Sequence, residues 1–205
     1  MGELRVVGFD PSLRNWGIAC GMYDPATGHL KVRHLDVIQP VLPKRKTVRQ
    51  NSTDLESAHQ LYAQAVEIAQ QADAVFVEVP VGSQSARAMA SYGICVGVLG
   101  GLRAAGIPFF EVTPLEVKMA TVGKKTASKA EMIEWATSQQ PGGTWPYEIR
   151  KGQQRIIESK AEHMADAIGA IVAGIETIPF KQLVPFLAPT PPTARKNHGN
   201  QTQAG

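Results

Sequence analysis

Two stretches of this chain run apolar and then stop on an acid: LRVVGFD closes on Asp10, and ADAVFVEVP carries Glu78. A carboxylate at the end of a buried strand is costly unless something uses it. The segments around them limit the arrangement. Trp16 to Met22 and Leu30 to Ile38 also read as strands, separated by the turn DPATGH. Three strands joined by tight turns predict an antiparallel meander. On the third, Leu30, Val32 and His34 are expected on one face and Lys31, Arg33 and Leu35 on the other. An amphipathic helix then starts at Ser52, with Ser52 or Thr53 as cap and Leu55, Ala58, Leu61, Ala65 and Ile68 as its buried stripe. A helix between the third and fourth strands permits a parallel crossover.

The pattern continues with a long helix over Gln84 to Ala105 and a strand over Ile107 to Val112. Thr113 and Pro114 open a short helix holding Lys118, and Ser128 caps another. SQQPGGTWPYEIRKG reads as loop, and Ser159 to Ile175 as the last helix. This order predicts an α/β domain with a mixed five-stranded sheet, three strands antiparallel and then two parallel, flanked by helices. Residues 1–180 form one domain in this reading. The Pro-rich, polar stretch 181–205 is expected to be a disordered tail.

If the first and fourth strands are parallel neighbours, Asp10 and Glu78 emerge at one edge. The segment KAEHMADAIGAIVAG places His163 and Asp166 three residues apart and Glu162 and Asp166 four apart, so either pair shares a helix face. Oxygen-rich donors with a single imidazole suit Mg²⁺ or Mn²⁺ better than zinc. Two such ions about 4 Å apart activate a water and stabilise the leaving oxygen of a phosphodiester. Each residue also has a plain structural reading. Asp10 before Pro11 can form a turn, Glu78 can pair with an arginine, His163 can be an ordinary helix histidine and Asp166 can be solvated. The joint pattern favours a metal site.

The formal net charge of +3 permits a polyanionic partner without demanding one. Lys44, Arg45, Lys46 and Arg49 crowd an aperiodic stretch, readable as a solvated loop or as a polyanion contact. Lys118, Lys124, Lys125 and Lys129 form a second cluster suited to phosphates. Gly93, Gly97, Gly100 and Gly101 weaken the long helix unless something packs closely on it, either its own sheet or a second copy of the chain. Cys20 and Cys95 have no ligand spacing and read as reduced core residues. No secretory signal is visible and no apolar run has the length of a membrane span, so a soluble, cytoplasmic protein with no membrane partner is expected.

GFDPSLRNWGIA resembles the first strand-turn-strand of the RuvC family of Holliday-junction resolvases, in the RNase H-like superfamily, and VFVEVP resembles its second acidic strand. VTPLEVKMATVGKKTASK is similar to the family's TP-x-x-VK-x-x-x-VG-x-x-x-A-x-K segment, and HMADAIGAIVAG to its last helix. The resemblance covers most of Leu4 to Gly174. It implies an RNase H-like fold and a homodimeric, metal-dependent endonuclease that binds four-way DNA junctions and nicks two strands symmetrically. It also implies Asp10, Glu78, His163 and Asp166 as the catalytic quartet, Lys118 near the scissile phosphate, and the 84–105 helix as the dimer element. Glu162 beside His163 leaves the third ligand open, with the spacing to Asp166 favouring His163. EVPVGSQ has Val81 and no aromatic where the family often carries a junction wedge, and GGTWPYEIRKG departs as a local elaboration whose Arg150 and Lys151 could contact DNA. A nuclease of relaxed specificity for flaps and forks, and a junction binder without catalysis, are the alternatives. An actin-like ATPase would need a second domain and a second phosphate loop.

Overall fold

The computed structural model describes residues 2–42 and 49–187. In chain order the elements are β1 (Leu4–Asp10), β2 (Trp16–Asp24), β3 (His29–Ile38), α1 (Gln50–Ala69), β4 (Ala74–Glu78), α2 (Ala86–Ala104) and β5 (Phe110–Val112). They continue with α3 (Pro114–Thr121), α4 (Lys129–Gln139), β6 (Tyr147–Arg150), β7 (Gln153–Ile156), α5 (Glu158–Ile175) and α6 (Ile178–Leu187). The main sheet has the order β3-β2-β1-β4-β5. β1, β2 and β3 pair antiparallel, while β4 lies parallel to β1 and β5 parallel to β4. The predicted five-stranded mixed sheet is therefore present.

Alternation along the strands divides the core into two layers. Leu4, Val6, Ala74 and Phe76 face one cluster, which includes Ala165, Ile168 and Ile171 of α5. Val7, Phe9, Val75 and Val77 face the other, with Leu61 and Ala65 of α1 and Val98, Leu99 and Leu102 of α2. The sheet is thus sandwiched between α1 and α2 on one side and α5, supported by α3 and α4, on the other. Buried by the sheet and by those helices, α5 is apolar around most of its circumference.

Four local expectations change. On β3 the pairing shifts between Cys20 and Gly21, whose partners are His34 and Val32, so Arg33 is an extra residue. This bulge reverses the alternation: Leu35 joins Leu30 and Val32 on the α5 side, and His34 is exposed. On α1 the helix begins at Gln50 without a side-chain cap, and Leu55 is 72% exposed. Its buried stripe starts instead at Asp54 and Ser57, because Arg87 of α2 forks onto Asp54 with both contacts at 2.7 Å. The stretch read as loop holds β6 and the turn of a hairpin that β7 completes just beyond it. Finally, α6 continues the chain past residue 180, where the domain was expected to end. Its Phe180 is fully buried against Phe76 and Phe110. Residues 188–205 of the expected tail, and Lys44, Arg45 and Lys46, lie outside the described residues. Among the described residues no single helix is long and apolar enough to cross a membrane.

Candidate active site

The same alternation places the two strand-end acids. Leu4, Val6 and Gly8 face α5, so Asp10, two residues on, does too. Ala74 and Phe76 face α5, so Glu78 follows them. Phe9 lies opposite Val77 in the parallel pair, which brings both acids to the same edge. α5 crosses this face at backbone contact distance. A Cβ on Gly8 would lie 2.0 Å from the Ala167 carbonyl oxygen, so only glycine lets the helix sit there.

That approach delivers the helix residues. His163 Nδ1 lies 2.5 Å from Asp10 Oδ2, and its Nε2 lies 3.6 Å from Glu162 Oε1. Asp10, Glu78, His163 and Asp166 line one cleft of ≈ 240 Å³ together with Glu162, Lys129 and Tyr92. The sequence-predicted quartet is thus brought together. Glu162 points to a different partner: Lys129 Nζ lies 2.6 Å from its Oε2, at the cleft wall.

Lys118 sits on α3, whose start is held by a capping box. Thr113 Oγ1 accepts from the Glu116 backbone N–H, and the Thr113 N–H donates to Glu116 Oε2. Lys118 does not line the cleft, but its charge favours the ionised forms of both Glu78 and Asp166. Lys129, expected on phosphates, is instead held by Glu162. Lys124 is engaged by Glu131 at 2.7 Å, while Lys125 and Arg49 are exposed. Lys129 and Glu162 were legible singly, as a phosphate contact and an alternative ligand, but not as a pair. Tyr92 was not legible as a site feature, because it reaches the cleft from α2, whose placement depends on packing.

The electrostatics of the cleft are unbalanced. Burial pushes the Glu78 carboxyl up to about 9, and the charges of Asp10 and Asp166 add to this. Burial raises Asp166 to about 7, and Asp10 and Glu162 add to it against the opposing charge of His163. Burial alone would pull His163 down, but its hydrogen bond to Asp10 and the surrounding carboxylates raise it overall. Among the described residues no three His, Cys, Asp or Glu side chains ring a point as a ready-made ion cage. The donors line a cleft, and their chemistry is that of a hard divalent cation's ligands: carboxylate oxygens, one imidazole and no thiolate. Cys95 lies on the other layer, where burial, with Asp10 adding, pushes its thiol up to about 12. Burial pushes the Cys20 thiol to about 11, so both stay neutral.

No family model matches the chain, and no curated protein does. Solved structures do. The chain is similar to RuvC of Thermus thermophilus in complex with a Holliday junction substrate, at 19% identity and a TM-score of 0.59, over 83% of this chain and 92% of that one. A second Thermus thermophilus RuvC structure matches at 21% identity and a TM-score of 0.56, over 82% and 92%. The yeast mitochondrial Holliday junction resolvase Ydc2 matches at 14% identity and a TM-score of 0.52, over 89% and 84%. The fold is therefore RuvC-like.

Proposed function

We propose that the chain is a metal-dependent endonuclease that resolves four-way DNA junctions by paired, symmetric phosphodiester hydrolysis. The observation that carries this reading is the convergence of Asp10, Glu78, His163 and Asp166 on one cleft, with Glu78 and Asp166 pushed toward their neutral forms. A site that crowds buried carboxylates is matched to a cation that lets them ionise. Mg²⁺, or Mn²⁺ in its place, held by these four side chains as one or two ions, would supply activation of the attacking water and stabilisation of the leaving oxygen.

The chain's own residues do the rest. Asp10 holds the His163 ring by its Nδ1 and so orients the imidazole. Lys118 supplies positive charge near Glu78 and Asp166, where a scissile phosphate would sit. Lys129 occupies one carboxylate oxygen of Glu162, which supports His163 over Glu162 as the third ligand. In the reaction the water oxygen bonds to phosphorus and the bond to the 3′ oxygen breaks. That oxygen takes a proton, and the 5′-phosphate remains on the other strand end.

Two symmetric cuts need two sites, hence two copies. The outer face of α2 suits that contact. A Cβ at Gly93, Gly97 or Gly100 would meet nothing within 4 Å, and Met89 and Val96 are half-exposed beside them. Lys44, Arg45, Lys46, Arg49, Lys124 and Lys125 would contact phosphates. One observation favours a broader branched-DNA specificity as second reading: the loop after β4 brings Val81 to the cleft, and no aromatic side chain stands at that position.

The test is cleavage of a labelled four-way junction with Mg²⁺ or Mn²⁺, beside linear duplex, flap and fork DNA. Paired symmetric nicks absent for Asp10→Asn support the resolvase. Equal cutting of flaps and forks supports the second reading. Binding without cutting under either metal would refute catalysis.

A further inference from the structure

The β6–β7 hairpin pairs only with itself, and seven of its eight strand residues are exposed. A two-stranded ribbon is marginally stable alone in water, yet this one has a rigid base. Trp145 is buried and donates from Nε1 to the Gln140 carbonyl at 2.9 Å, Thr144 Oγ1 donates to the Leu35 carbonyl at 3.1 Å, and the Ile157 N–H donates to the Pro146 carbonyl at 2.8 Å. The ribbon therefore runs directly into the first turns of α5, which carry Glu162, His163 and Asp166. It springs from the same end of the fold as the cleft.

Its register sorts the side chains. Tyr147 and Ile149 share one face with Gln154 and Ile156, while Glu148, Arg150, Gln153 and Arg155 share the other. Ile149 is 83% exposed and Tyr147 51%. The turn is Lys151-Gly152, with φ of 52° and 74°. Lys151 is the sole non-glycine with positive φ among the described residues, so a lysine occupies a tip position that favours Gly, Asn or Asp. Arg150, Lys151 and Arg155 stand against the single acid Glu148, and none of the three has an ion-pair partner among the described residues.

We propose that this ribbon is a second DNA contact. It would grip a duplex arm next to the cleft, with Arg150, Lys151 and Arg155 on phosphates and the Tyr147–Ile149 face against sugars and base edges. A two-stranded ribbon has the cross-section a DNA major groove admits. The cations explain an exposed, strained tip that adds nothing to the core, and the apolar pair explains a face too hydrophobic to be only solvated. This inference rests on the nuclease reading above.

The experiment measures anisotropy of a fluorescent four-way junction and of a linear duplex, titrated across salt concentrations with Asp10→Asn protein to prevent cutting. Arg150→Ala/Lys151→Ala/Arg155→Ala in that background should weaken junction binding about tenfold or more and lower the slope of log K against log salt by about 3, one per phosphate contact. Tyr147→Ser/Ile149→Ser should weaken binding without changing the slope. Lys151→Gly relieves the backbone and removes one charge, so it should lower the slope by about 1 in a protein that melts no earlier. Unchanged affinity and slope in the triple variant, with the parent still binding, would overturn the ribbon alone. No binding of any DNA by the parent would overturn the ribbon and the nuclease reading together.

Discussion

Gly17 and His163 are in backbone contact across the sheet. A Cβ on Gly17 would lie 2.0 Å from the His163 carbonyl oxygen and 3.0 Å from the His163 Cβ. Gly17 is paired with Asp10 in the antiparallel register, so one residue without a side chain sets the distance between β1's acid and α5's imidazole. Gly17→Ala should push α5 outward, break the Asp10–His163 contact and cost about 1–3 kcal/mol as overpacking. Urea unfolding measures the second effect. Cutting should fall far more than the stability loss accounts for.

Divalent cations should stabilise the protein increasingly as pH rises. A carboxyl with a folded-state pKa above its unfolded value holds its proton more tightly when folded, so stability falls as pH climbs from about 4. For Asp166 the loss is complete near its folded value of about 7, and for Glu78 near about 9. The melting temperature in EDTA should drop across that window, and Mg²⁺ or Mn²⁺ should reduce the drop. Glu78→Gln should raise the EDTA melting temperature at pH 8 and shrink the metal response. A metal response equal in the variant would count against Glu78 as a ligand.

Asp54 and Arg87 tie α1 to α2. Arg87's hydrogen bonds hold the Asp54 carboxyl below the usual range, so the pair contributes stability above about pH 4 and loses it as pH falls through the lowered value. Arg87→Ala should destabilise the protein only modestly at neutral pH, because Arg87 is 45% exposed though Asp54 is only 11%. The gap between variant and parent should narrow as pH falls below about 4, readable from denaturant midpoints.

The exposed glycines of α2 give opposite predictions for one copy and for two. Gly97→Ala fills open space in a single chain and should stabilise its helix by up to about 1 kcal/mol. Gly93→Leu/Gly97→Leu should block close approach of a second helix. Sedimentation velocity should then show monomers whose unfolding midpoint is not lowered, and junction nicks that are no longer paired.

Much of this arrangement is legible in the chain itself. Continuous apolar runs place strands β1 and β4, and the alternation of side chains along a strand gives their last residues, Asp10 and Glu78, a face. The TP and Ser128 caps likewise mark where α3 and α4 begin, because capping is a local hydrogen-bond event. Tertiary structure alone decided the rest. The bulge at Arg33 turns His34 outward, a buried Asp54 replaces Leu55 in the α1 stripe because Arg87 reaches it from another helix, and α6 exists because Phe180 fills space between Phe76 and Phe110. Spacing to Asp166 favours His163 over Glu162 without placing either side chain. Their placement follows from the seat of α5 on the sheet, which Gly8 and Gly17 permit, and from the ion pair between Lys129 and Glu162. Local preference is written residue by residue, whereas these outcomes depend on contacts between segments distant in sequence, whose energies exist only once the chain has closed.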